Sequence, residues 1–104
     1  MKKIIIPKEA DPNEKRVALL PYFVAKLKKL GFEIQVEKGL GDALFLSDEE
    51  YQKAGASIES DRRKLLQSGD IILRVKKPPM EEIPFIKKGA IHISFLDPFK
   101  EQIL

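Results

Sequence analysis

The sequence has 104 residues and no cysteine. That absence excludes disulfides, thiolate metal sites and thiol nucleophiles, and it fits a reducing compartment. There is a single histidine, His92, with no histidine–carboxylate spacing of the usual kind, which argues against a metal centre. No apolar run approaches the roughly 20 residues needed to cross a bilayer. The opening "MKKIII" is basic, but its apolar run ends at once in Pro7, unlike a secretory signal. Neither sign of charge dominates: 19 basic residues face 16 acidic ones, for a net charge of +3. The basic runs "KLKK" (26–29), "RRK" (62–64) and "RVKK" (74–77) are short and separate. A nucleic-acid binder gathers such residues on one face, so no nucleic-acid partner is expected. Internal repeats, low-complexity segments and phosphate-cradling loops are also lacking. Gly39-Leu40-Gly41 is a weak echo of a dinucleotide fingerprint, but position 44 is Leu, the spacing fails, and a turn is the better reading. The expectation is a soluble, cytoplasmic domain.

What is present reads as one domain of common size, able to bury roughly two-thirds of the surface its unfolded chain exposes. Ile4-Ile5-Ile6 has the continuous β-branched character of a strand buried on both faces, closed by Pro7. A polar loop with Pro12 and Asn13 follows. Pro21 then suits the first turn of a helix over residues 21–30, with Phe23, Val24, Leu27 and Leu30 on one face, Lys26, Lys28 and Lys29 pointing elsewhere, and Gly31 beyond its end. "EIQVE" (33–37) alternates as a second strand. Ser47 and Glu50 have capping-box spacing ahead of a short helix ending at Gly55. A brief strand in "ASIE" (56–59), a helix over 61–67, a buried strand over 71–75, a helix over 81–88 interrupted by Pro84, and a last strand over 90–96 complete the chain. Strands alternating with helices specify an α/β fold, an open and mostly parallel sheet with flanking helices, Rossmann-like or flavodoxin-like. "PFKEQIL" after the last strand reads as the start of a further helix, so the chain is expected to be truncated at its C-terminus.

Open α/β sheets bind ligands outside the carboxyl ends of their strands. That edge collects Lys8 and Glu9, then Lys76 and Lys77, then Asp97, with Arg16 in the loop leaving the first strand. Arg16 and Lys76 would together make an anion anchor, a planar fork beside a point charge; solvated loop charges are the plain alternative. His92 alternates with Ile91 and Ile93 along the last strand and reads as a packed histidine rather than a general acid or base. Asp97, before Pro98, reads locally as a turn or capping acid at the edge of a site.

The order of "IIIPKEADPNEKRVALLP", "LGFEIQVEKGLGDALFLSDEEYQKAGASI", "DIILRVKKPP" and "GAIHISFLDP" resembles the N-terminal domain shared by alanine dehydrogenases and the α subunit of proton-translocating NAD(P) transhydrogenases. The resemblance spans nearly the whole chain. It implies that Arg16 and Lys76 match the pair holding the carboxylate of pyruvate or alanine in the dehydrogenases. That branch also carries a histidine two residues after an aromatic of the last strand, where this chain has Asp97. An ionised Asp cannot donate a proton to a developing alkoxide and would repel a substrate carboxylate. The resemblance is therefore closer to the transhydrogenase branch.

It implies residues 1–104 as the N-terminal domain of a larger NAD-dependent enzyme, with NAD(H) bound mainly by a downstream Rossmann domain. Implied partners are the remainder of the α subunit and the membrane and NADP-binding subunits, with homo-oligomerisation in the parent protein and membrane association through those subunits. The domain alone is expected to be inactive. An alanine dehydrogenase-like domain and a non-catalytic anion-binding scaffold are the alternatives.

Overall fold

The computed structural model describes residues 2–9, 17–75 and 80–94. Within them, five parallel strands form one sheet in the order β3-β2-β1-β4-β5: β1 (Lys3–Ile6), β2 (Glu33–Glu37), β3 (Ser57–Glu59), β4 (Ile71–Arg74) and β5 (Ile91–Ser94). Helices α1 (Pro21–Lys29), α2 (Asp48–Ala54) and α3 (Arg62–Ser68) supply three crossovers. The chain winds outward from β1 through β2 to β3, then α3 returns it past β1 to β4. Between β1 and β4 the winding reverses. Their carboxyl ends therefore form the switch point where open α/β sheets place ligands.

The isoleucine run divides between two cores. Ile4 and Ile6 pack with Ile34, Val36, Leu73 and Val24 on the α1/α2 face, while Ile5 packs with Leu65, Leu66, Ile72 and Ile86 on the other. Continuous apolarity in β1 is thus the consequence of burial on both sides. Tyr51 joins the first core from α2, and its hydroxyl donates to the Leu19 carbonyl at 2.8 Å, fixing the entry to α1. Burial, aided by the nearby Glu50 charge, pushes that phenol up to about 12.

The helix boundaries follow local chemistry. Pro21 sits in the first turn of α1. Ser47 and Glu50 close a reciprocal capping box on α2, which ends at Gly55 in a left-handed conformation, φ 114°. The Asp61 side chain accepts from the Arg63 and Lys64 amides at the start of α3. The glycines of "GLG" form a turn: Gly39 has φ 80°, and a Cβ on Gly41 would fall 2.6 Å from the Leu46 Cβ and 2.9 Å from its carbonyl oxygen. That turn leads into a short 3-10 helix, Asp42–Leu44.

Two elements depart from expectation. The apolar face expected on α1 is split: Val24 and Leu27 face the core, while Phe23 and Leu30 are exposed. Instead of an α-helix over 81–88, a 3-10 helix spans Met80–Phe85. Pro84 lies inside it and cannot donate the hydrogen bond that an α-helix would need there. The expected last strand is seen over Ile91–Ser94, and residues 95–96 lie outside the described residues. Its two apolar residues, Ile91 and Ile93, are the exposed ones, at 49% and 41%, while His92 is turned into the protein.

Candidate functional site at the sheet switch point

Two described loops meet at the switch point. The first is Pro7–Glu9 at the end of β1, and the second begins at Val75 after β4. The Glu9 carboxylate accepts the Val75 amide at 2.9 Å, so the carboxyl ends of the two strands are tied directly. The Lys8 residue is held at both its backbone polar atoms: its N–H donates to Glu37 at 2.8 Å, and its carbonyl accepts from the Arg62 guanidinium at 2.9 Å. A backbone fixed in this way presents the chain that follows from a defined position.

Arg62 is the hub of this arrangement. From the first turn of α3 it reaches Glu37 at the end of β2, at 2.5 Å, and takes Glu82 of the 3-10 helix in a two-point contact through Nε and Nη2. Burial alone would lower its pKa. The hydrogen bond to Glu82 and the charges of Glu37 and Glu82 outweigh that and raise it, keeping the group cationic. Glu82 also accepts from Arg74 of β4 at 2.9 Å. Burial would raise the Glu82 carboxyl, but hydrogen bonds and charge from both arginines hold it below its ordinary value. Two cations and two carboxylates thus link β2, α3, β4 and the 3-10 helix in a charge-balanced chain.

Arg74 is fully buried, and among the described residues its Nε and Nη2 find no hydrogen-bond partner. Ser94 lies opposite it in the β4–β5 ladder, and His92 opposite Ile72. Burial, reinforced by the Arg74 charge, lowers the His92 pKa to about 4. His92 is therefore a neutral, 6% exposed side chain at ordinary pH, in line with a packed role.

The residues singled out from sequence fall unevenly on this frame. Lys8 and Glu9 are placed at the switch point as expected. Arg16, Lys76, Lys77 and Asp97 lie outside the described residues. The Arg62–Glu37–Glu82–Arg74 chain is not visible in the sequence as a unit. Its one signal there is an arginine within the apolar strand "IILRV", since a buried guanidinium requires an acidic partner. Nothing in the sequence singles out Glu82 over Glu81 as that partner.

The winding, the all-parallel pairing and the tied loops define a Rossmann-like, open α/β domain with its switch point between β1 and β4, where folds of this kind bind ligands. The turn after β1 carries no glycine, Gly31 being the first in the chain, so the dinucleotide fingerprint is absent from that turn. Residues 5–104 match the family described as alanine dehydrogenase/PNT, N-terminal domain, and the chain belongs to it.

Among its relatives is a Rhodospirillum rubrum protein, the first of the parts into which an NAD(P) transhydrogenase alpha subunit is divided. It is 40% identical over 94 residues, covering 86% of this chain and 24% of the relative. The alanine dehydrogenase of Methanococcus maripaludis is 35% identical over 91 residues, with 88% and 24% covered. Among solved structures, the transhydrogenase of Sinorhizobium meliloti superposes with a TM-score of 0.83 at 41% identity, over 89% of this chain and 26% of that one. An L-alanine dehydrogenase superposes with a TM-score of 0.80 at 28% identity, over 86% and 25%. The chain thus spans about a quarter of the length of these relatives.

Proposed function

We propose that this chain is the N-terminal part of the NAD(H)-binding component of a proton-translocating NAD(P) transhydrogenase, which moves a hydride between NADH and NADP. The observation that carries the reading is Asp97, an acid at the position where the dehydrogenase branch has its histidine. An ionised carboxylate there cannot protonate the alkoxide that forms when a 2-oxo acid is reduced. The higher identities to transhydrogenases, 40% and 41%, than to the alanine dehydrogenases above, 35% and 28%, support the same branch.

In this reading the nicotinamide nucleotide is held mainly by a Rossmann domain following residue 104, and the present domain forms the opposite wall of the cleft. Arg16 and Lys76 are the anion-facing residues of that wall, and Asp97 stands at its edge. Glu9 and Val75, the last described residues before the segments that carry Arg16 and Lys76 in sequence, are joined by a hydrogen bond, and that tie supports the pairing. The remaining α-subunit chain, the NADP-binding and membrane subunits and a second copy of the component are the partners. The protein is cytoplasmic and meets the membrane through those subunits. The domain by itself transfers no hydride.

Calorimetric titration tests this directly. The 104-residue chain should give no saturable heat with pyruvate, and weak or no binding of NADH. Tight pyruvate binding that disappears in Arg16→Ala would overturn the assignment in favour of an alanine dehydrogenase-like domain.

A further inference from the structure

Helix α1 carries an exposed face that does not fit a helix simply turned to solvent. Its inward side is Val24, fully buried, with Leu27 partly buried against the same core. The outward side combines Tyr22 (64% exposed), Phe23 (46%), Lys26, Lys29 and the capping residue Leu30 (74%). These positions recur at helical spacing and form one strip along the helix. The two rings meet edge to face at 5.2 Å, and the Lys26 ammonium lies 4.8 Å from the Tyr22 ring centre. Lys28 lies off the strip, its stem over Gly55 at the end of α2, and residues 20–32 contain no acidic side chain.

Lysines in the last turn have an ordinary explanation, since they complement the negative end of the helix dipole. That explanation leaves out the aromatic pair and Leu30. An outward helix face normally carries polar residues, and exposing two aromatics and a leucine is unfavourable unless something covers them. A second copy fits poorly, because a two-fold contact through this strip would bury lysines from both copies with no acidic side chain in residues 20–32 to answer them. An acidic protein surface would satisfy the lysines but gives no reason for three protruding apolar groups around them. A membrane leaflet accounts for both. Phe and Leu enter the acyl boundary, Tyr sits at the headgroup level, and lysines extend their stems to meet anionic headgroups.

We propose that the outward face of α1 is a peripheral docking surface for anionic lipid. It binds the headgroup layer directly, by its own side chains, and lies flat on the leaflet without spanning it. No helix among the described residues is long and apolar enough to cross a membrane. Each lysine held near an anionic leaflet adds about fivefold to affinity. Lys26 and Lys29 together should therefore give a preference on the order of thirtyfold for anionic over neutral vesicles.

The test is co-sedimentation of the full chain with phosphatidylcholine vesicles, with and without about a third phosphatidylglycerol. Binding should require the anionic lipid and fall steeply as salt is raised. It should drop at least tenfold in Lys26→Glu/Lys29→Glu and also in Tyr22→Ser/Phe23→Ser. Because the chain has no tryptophan, Tyr22→Trp supplies a second readout, an emission blue shift on adding anionic vesicles.

Four results would each overturn the proposal. The first is absence of vesicle binding at low salt. The second is binding unchanged in both double variants. The third is equal or tighter binding to polyglutamate, which would assign the face to an acidic protein. The fourth is self-association of the Tyr22→Trp variant with the same blue shift in the absence of lipid, which would assign it to a second copy.

Discussion

His92 illustrates how the fold decides the chemistry of a lone titratable group. An exposed imidazole would titrate near 6.5, but here burial and the Arg74 charge hold the folded-state value near 4. The unfolded chain then takes up a proton before the native state does, so stability is unaffected above pH 6.5 and declines as pH falls from there towards 4. At one pKa unit per 1.4 kcal/mol, the loss by pH 4.5 should be about 2 kcal/mol. Urea midpoints at pH 7 and pH 4.5 would measure it. A His92→Gln variant should lose this part of the pH dependence; an unchanged slope would show that His92 is not its source. The packed character of His92 is legible from its place in an apolar strand. Its pKa depends on Arg74, whose nearness requires the β4–β5 pairing.

Local rules account for most of the secondary structure because the signals are strong where they occur: Pro21 opening α1, the Ser47–Glu50 box, the caps at Asp61 and Gly55. They fail at Met80–Phe85, where the helix expected over 81–88 gives way to 3-10 geometry at Pro84. That segment matters because it delivers Glu82 to Arg74 and Arg62, a meeting of three elements that no spacing rule encodes. Removing Glu82 leaves Arg74 as a buried charge without its counter-ion, so Glu82→Ala should cost about 3 kcal/mol in chemical denaturation. Adding Arg74→Met should recover much of that loss, because a hydrophobic side chain of similar length does not need a partner. If the double variant is no more stable than Glu82→Ala, the network stabilises the fold through Arg62 and not through Arg74. The same contacts hold the Lys8 carbonyl, so Arg62→Ala should also speed amide exchange in the β1 loop.

At the scale of the whole molecule, the chain is a doubly wound parallel sheet with one edge organised by ion pairs and hydrogen bonds, and it belongs to the alanine dehydrogenase/PNT N-terminal family. The fold class is legible because alternating strands and helices leave few arrangements open. The strand order is not, since it is fixed by α3 carrying the chain back past β1. The site is legible only as an edge: Lys8 and Glu9 stand where strand-end reasoning puts them, while the frame that holds them is built from residues distant in sequence. In the function proposed above, the choice between the two branches of the family turns chiefly on Asp97.

The most direct test of the proposed function is turnover by the longer protein it implies, in which a nucleotide-binding domain follows this chain, supplied with the NADP-binding subunit. The expected result is hydride transfer from NADH to NADP, with no oxidation of NADH by pyruvate and ammonium. Pyruvate- and ammonium-dependent oxidation of NADH, abolished by Arg16→Ala, would contradict it and make this the domain of an alanine dehydrogenase.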